Sequence, residues 1–268
     1  MIVVKIGGNV AKEITSSGLI PDLKSLLQEN TIVLVHGGGD EVTEIASKLG
    51  KEQRFVTSPE GFRSRYTDRE TVEIYTMVIA GKINKQVVLA LQSAGVPAFG
   101  FSGLDGALIR ANRKKKIIVV DDSGRKRVID GGYSGKISEV NPHPIKIILE
   151  NGFIPVIAPV ALSEEYEPLN VDADRTAAYV AGFIKADRLV LLTDVDGLIL
   201  EGEVIPRLTV SETEKILTKI GPGMITKVYA AMEAVNMGVP EAIIANGLCN
   251  SPVSSAIRHS CGTVITRE

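Results

Sequence analysis

The sequence has little of what disulfide scaffolds, metal centres and nucleic-acid binders are made from. Of its 268 residues two are cysteines, three are histidines and none is tryptophan. Cys249 and Cys261 lack partners at metal-ligand spacing and build no disulfide framework, so both read as ordinary thiols of a reducing compartment. His36, His143 and His259 are scattered, without nucleophile or ligand partners. The formal charge of −2 sets up no global field for nucleic acid or a membrane, so any basic surface is local. No apolar run approaches the roughly 20 residues of a membrane span. The start, Met1-Ile-Val-Val-Lys5-Ile-Gly7-Gly8, reads as a strand and a turn rather than a signal peptide. The expectation is a cytoplasmic protein with no protein-built metal site, no membrane and no nucleic acid.

What is present is an alternation of strand-length apolar runs with stretches of helical period. IVVKI (2–6), TIVLV (31–35), VPAFGF (96–101), FIPVIAPV (153–160), RLVLLT (188–193), EAIIA (241–245) and GTVIT (262–266) read as strands. Helices fall near 21–30, 40–50, 68–93 (softened at Gly81), 142–151, 173–186, 222–237 and 251–259. Parallel neighbours need crossovers, so the pattern predicts an α/β sandwich of three layers, a mostly parallel central sheet with helices on both faces. The segment 117–130 is the exception: two short apolar-rich pieces flank Asp121-Asp122-Ser123-Gly124, which predicts a β-hairpin flap. With no repeat or linker, the chain reads as one domain of two lobes, about 1–170 and 171–268.

Ligands of open α/β sheets sit at the carboxyl ends of strands. Two such ends here are glycine turns, Gly7-Gly8 and Gly37-Gly38-Gly39, where backbone N–H groups can approach an anion or where the chain simply packs tightly. The familiar phosphate loops are missing: GGYSGKI (131–137) has the wrong spacing and no Ser or Thr after Lys136. Lys5 interrupts an apolar strand; it either snorkels out at an edge or sets its ammonium beside Gly7 and Gly8, facing phosphate. Lys227 opens a helix in GPGMITK (221–227) as a candidate of the same kind or a solvated lysine. Asn170, Asp172 and Asp174 alternate just before another helix, where an Asp can be a cap. Thr193-Asp194-Val195-Asp196-Gly197 ends an apolar strand, a place suited to a nucleotide or to an ordinary turn.

In order along the chain, KIGG (5–8), HGGG (36–39), RYTD (65–68), NVDAD (170–174), LLTDVDG (191–197) and GMITK (223–227) resemble the amino-acid kinase family, in its acetylglutamate-kinase-like branch. The resemblance covers most of the chain. It implies an amino-acid kinase fold, with an amino-acid substrate on the N-lobe and ATP with Mg2+ on the C-lobe, the metal held mainly by the phosphates. Lys5 and Lys227 would stabilise the transferring phosphoryl group, with Asp174 orienting both. Gly37, Gly38 and Asn170 would contact the substrate, Arg65 or its competitor Arg63 would pair with the α-carboxylate, and Gly7, Gly8, Thr193, Asp194, Asp196 and Gly197 would lie by the nucleotide. A homodimer through the 68–93 region is implied too. The chemistry agrees: a carboxylate with a pKa of about 4 is already ionised and needs no general base, only relief of anion–anion repulsion.

FRSRYTD (62–68) departs from the compact LRVTD-like motif of acetylglutamate kinases and is similar to kinases whose glutamate or α-aminoadipate is joined through its amino group to LysW, a small acidic carrier protein. Physical charge points the same way. Between Arg110 and Arg127 stand eight basic residues against Asp121 and Asp122. Lys114, Lys115, Lys116, Arg125 and Arg127 form either a solvated flap or a dock for an acidic protein. The expected reaction is therefore phosphorylation of a carrier-linked side-chain carboxylate in lysine or arginine biosynthesis. A free acetylglutamate kinase, a silent amino-acid sensor and a uridylate kinase are the competing readings.

Overall fold

A computed structural model describes residues 1–121 and 123–268; Asp122, in the expected hairpin turn, lies outside them. The central sheet has eight strands in the order Arg207–Thr209, Thr263–Thr266, Glu241–Asn246, Arg188–Thr193, Ile2–Ile6, Ile32–His36, Ile154–Ala158 and Ala98–Ser102. Every neighbouring pair is parallel except Glu241–Asn246 with Thr263–Thr266. The mostly parallel three-layer expectation is met.

Side chains of a strand alternate between faces, so Ile2, Val4 and Ile6 enter one core while Val3 enters the other. The first core is closed by helices Leu19–Leu26, Asn84–Ser93 and Pro252–Ile257, through Leu23, Leu91 and Val253. The second is closed by Ala173–Phe183 and Met224–Asn236, through Ala177, Ala181, Val228 and Val235. Lys5 shares a face with Val3, under these last two helices. Its strand is hydrogen-bonded on both sides, to Ile32–His36 and Arg188–Thr193, so Lys5 cannot snorkel from an edge.

The long helical stretch is Arg69–Thr76, a π-helical run Met77–Ile83 that contains Gly81, and Asn84–Ser93. Its 25 residues are, among the described residues, the one helix long and apolar enough to cross a membrane, with a mean hydropathy of 1.2 over its most apolar 18-residue window. Half of that apolar window is buried inside the fold, which accounts for its composition.

The hairpin forms between Lys116–Val120 and Lys126–Asp130. It joins two strands that sequence periodicity could not show because each has three residues, Phe55–Thr57 and Arg63–Arg65. A further small sheet, in the order Pro168–Asn170, Val160–Leu162, Ile109–Arg113 and Gly135–Val140, roofs the same region.

Candidate active site

The carboxyl ends of Ile2–Ile6 and Ile32–His36 are adjacent, and their glycine turns touch. A Cβ on Gly8 would stand 3.3 Å from the Cα of Gly38, so part of the glycine requirement is this close approach of two backbones. Gly38 also has a φ of +145, which a side chain would strain. No side chain caps the helices that begin at Gly8 and Gly39. The N–H of Gly37 donates to the carbonyl of Ile6 as the strand ladder continues, so Gly37 offers the cleft a missing side chain rather than a donor.

Above these turns Asp174, 4% exposed, holds two ammonium groups. Lys5 Nζ lies 2.7 Å from Oδ1 and Lys227 Nζ donates to Oδ2 at 3.1 Å. The residues are 169 and 53 positions from Asp174 in sequence, yet the geometry follows from the fold. Lys5 points up from the sheet, Asp174 sits in the first turn of Ala173–Phe183, and Lys227 sits in the first turn of the neighbouring helix. Burial pushes the Asp174 carboxyl upward, but Lys5 and then Lys227 outweigh it and hold it below its ordinary value. Burial lowers the Lys227 ammonium, and Asp174 more than reverses this. Within the triad one carboxylate faces two ammoniums, and Asp172 and Asp194 nearby also act on Lys227. A second tie binds the same helices: Arg175 Nε donates to Glu233 Oε2 at 2.8 Å, with a second contact from its Nη2 to Oε1.

Two clefts meet at this triad. The larger, of about 370 Å³, runs from Lys5, Gly8 and Gly38 to Arg63, Arg65, Asn170 and Asp174. The smaller, of about 160 Å³, is lined by Lys5, Gly7, Gly8, Thr193, Asp194 and Lys227, together with Asn9 and Asp40. Asn9, which sequence reasoning passed over, donates to Asp194 Oδ2 at 3.0 Å, and that bond leads the causes holding Asp194 below its usual range. Asp196 and Gly197 stand outside this lining: Asp196 accepts from Asn246 at 2.8 Å, and Gly197, at φ +150, packs against Thr263. Among the described residues no three His, Cys, Asp or Glu gather as metal ligands.

The two arginines differ. Arg65 is 8% exposed, and its Nη2 donates to the Gly39 carbonyl at 2.7 Å and to Thr43 Oγ1 at 3.1 Å, with Nη1 on Gln53. Arg63 is exposed, stacks over Phe55 at 4.5 Å and faces the same cleft. Asn170 donates to Thr67 Oγ1 at 3.0 Å. If Arg63 binds the substrate carboxylate and Arg65 braces the glycine turn, Arg63→Ala raises the amino-acid Kd with thermal stability unchanged. Arg65→Ala should weaken the same ligand and also cost about 1–3 kcal/mol of stability, for buried bonds left unmade. Calorimetric titration with substrate and with ATP, alongside thermal unfolding, reads both. An equal loss of ATP affinity in either variant would contradict the assignment.

The basic residues of the hairpin region also separate. Lys115 and Lys116 are exposed, while Arg127 and Arg125 lie 2.6 and 3.4 Å from Asp121, which already balances part of their charge. Lys114 lines the 370 Å³ cleft and an adjoining cleft of about 420 Å³ beneath the hairpin, where Ile117, Phe62 and Tyr229 face one another. The flap is thus the lip of the site.

Known proteins are similar to this chain in sequence and in fold. Residues 1–246 match the amino acid kinase family. Over all 268 residues, and all of the relative, the chain is 53% identical to a Nitrosopumilus maritimus protein provisionally named LysW-aminoadipate/LysW-glutamate kinase. It is 46% identical over 266 residues, 99% of each chain, to a Saccharolobus islandicus protein named LysW-aminoadipate/LysW-glutamate kinase. Among solved structures, the smu.665 protein of Streptococcus mutans UA159 matches 100% of this chain and 98% of its own, with a TM-score of 0.81 at 25% identity.

Proposed function

This chain belongs to the amino acid kinase family, and from that premise we propose that it phosphorylates the side-chain carboxylate of glutamate or α-aminoadipate linked through its amino group to a LysW-type carrier protein. ATP is the phosphoryl donor and an acyl phosphate the product, in lysine or arginine biosynthesis in the cytoplasm. The observation that carries this reading is the pair of lysines sharing Asp174 where the two clefts meet.

The amino acid lies in the larger cleft, in the half of the chain built from residues 1–170, and ATP enters from the 171–268 side with its phosphates against Gly7, Gly8, Thr193 and Asp194. The ionised carboxylate attacks the γ-phosphorus and ADP leaves, so no proton is transferred and no general base is required. Lys5 and Lys227 bring positive charge to the phosphoryl oxygens as charge moves across them. Asp174 holds both ammoniums in place before ATP arrives. Mg2+ would ride on the ATP phosphates and neutralise part of their charge. A side chain of glutamate and one of aminoadipate differ by one methylene, worth about 1–3 kcal/mol in a pocket, so one site can serve both.

The carrier's globular part meets Lys115, Lys116, Arg125 and Arg127 at the lip, beside Lys114, which is exposed and lines both clefts. A homodimer packs through the helical stretch Arg69–Ser93, where Met77 and Leu89 are 59% and 65% exposed. Hydroxylamine, which traps acyl phosphates as hydroxamates, tests the reaction class. A stable hydroxamate on the carrier-linked substrate is expected; ADP release with no trapped product would contradict it.

A further inference from the structure

The Gly37–Gly38 turn is held from beneath by a buried polar chain that the sequence motifs do not reveal. His36 is wholly buried, with Nδ1 3.0 Å from the Gly37 carbonyl and Nε2 3.2 Å from Nδ2 of Asn84. Asn84, equally buried, also donates from Nδ2 to the Val156 carbonyl at 2.9 Å, with the Phe101 carbonyl further off at 3.4 Å, which fixes which end of its amide carries the hydrogens. Its Oδ1 accepts from Lys85 Nζ at 3.0 Å, and Lys85 is tied in turn to the Gly100 carbonyl at 2.8 Å. A carbonyl only accepts and an amide nitrogen only donates. The imidazole therefore carries its proton on Nδ1 and presents a bare Nε2 to Asn84.

Asn84 arrives there because of the π-helical run. Its N–H reaches back to the carbonyl of Ile79, five residues earlier, one residue further than an α-helix allows. The same run sets Ile79 and Ile83 directly under Gly38, where a Cβ would collide with Ile83 Cδ1. The glycine turn thus rests on one helix by two supports, an apolar one under Gly38 and a polar one under Gly37. The carbonyl of Gly37 and the N–H of Gly38 belong to one planar peptide group and point in opposite directions. Anchoring the oxygen below aims the N–H above.

We propose that Asn84 is a positioning residue of the active site: through His36 it fixes the Gly37–Gly38 peptide plane and so aims the Gly38 N–H at the reacting carboxylate. The proposal rests on the reading, made under Proposed function, that the amino acid occupies the larger cleft, which Gly37 and Gly38 line. Burial pushes His36 down to about 4, a shift the Gly37 carbonyl resists and the ammoniums of Lys5 and Lys85 reinforce, so in the native chain the ring stays neutral across the working pH range.

Two measurements test it. The first is the tautomer of His36 in the resting protein, read by NMR with 15N-labelled histidine and identified by the loss of its signals in His36→Asn. A neutral ring with the proton on Nδ1 from pH 6 to 8 is expected; a proton on Nε2 would overturn the proposal. This readout needs no substrate, so it stands or falls separately from the kinase reading, which fails if the wild type phosphorylates no carboxylate.

The second is the pH profile of Asn84→Asp. A carboxylate beside Nε2 only accepts, so it raises the imidazole pKa. At low pH the imidazolium keeps its bond to Gly37. As pH rises through the new pKa the neutral ring holds its proton on Nε2 and turns a bare Nδ1 to the Gly37 carbonyl. The variant's kcat should therefore fall by about 10-fold or more between pH 6 and 9 relative to wild type, with KM for ATP within about 2-fold. Asn84→Ala should show a similar loss at every pH. A profile for Asn84→Asp that parallels the wild type would overturn the proposal, and if that variant does not fold the tautomer alone decides.

Discussion

Replacing Lys227 or Lys5 with methionine is expected to lower kcat by at least about 10²-fold, the scale for losing one preorganised charge contact. KM for the amino-acid substrate should move little, because the contact gains its strength as the phosphoryl group transfers. These variants are expected to stay folded: with both lysines present Asp174 faces two ammoniums at 2.7 and 3.1 Å, and with one removed it keeps the other as a partner. Asp174→Asn is different, since it leaves two sheltered ammoniums with no carboxylate between them, and breaking a buried pair in this way costs about 3–5 kcal/mol. Steady-state kinetics with thermal unfolding as a control reads all three. Near-normal turnover in either lysine variant would remove the triad from the chemistry, whatever the substrate.

The second large effect concerns the hairpin. Changing Lys115, Lys116, Arg125 and Arg127 to serine should raise KM for the carrier-linked substrate by about 10-fold or more and leave kcat nearly unchanged, because exposed charges govern encounter rather than chemistry. Added salt should imitate the substitutions, since exposed charges are screened beyond about 8–10 Å at 0.1–0.15 M ionic strength. The wild type should lose kcat/KM steeply with salt and the variant should show a flatter slope. Lys115 and Lys116 should carry most of this, as Arg125 and Arg127 already share Asp121. Lys114 is kept out of the set because it lines the reaction cleft. Salt slopes that coincide in the two proteins would mean the flap is merely solvated.

Much of this site can be read in the sequence because its residues break local rules. A lysine inside IVVKI sits where packing alone would choose otherwise, and the glycines closing two apolar strands and the lysine opening the GMITK helix gain meaning by recurring with it in order. Period-two alternation even puts Lys5 on the face of Val3. What alternation cannot say is which helices cover that face, and these lie about 170 and 220 residues downstream. The competition between Arg63 and Arg65 was equally closed to inspection. They occupy a strand of three residues, too short to show a period, and their difference lies in Gly39, Thr43 and Gln53 across the fold. Asn84 gave no signal at all, since in an α-helical reading of 68–93 nothing marks the residue at which a π-helical run turns the next side chain inward. The flap itself was legible from the apolar pieces around its turn, but its seat over the two clefts depends on Phe55–Thr57, a strand that no pattern announced.

The central claim is that the acceptor carboxylate comes on a carrier protein. It is tested most directly by running the hydroxamate assay side by side on LysW-linked glutamate or aminoadipate and on free N-acetylglutamate, at equal concentration and low salt. The account predicts a kcat/KM at least about 10²-fold higher for the carrier-linked substrates, the scale of encounter gained by steering charged partners together. Efficient turnover of free N-acetylglutamate, matching or exceeding the carrier-linked substrates, would contradict it.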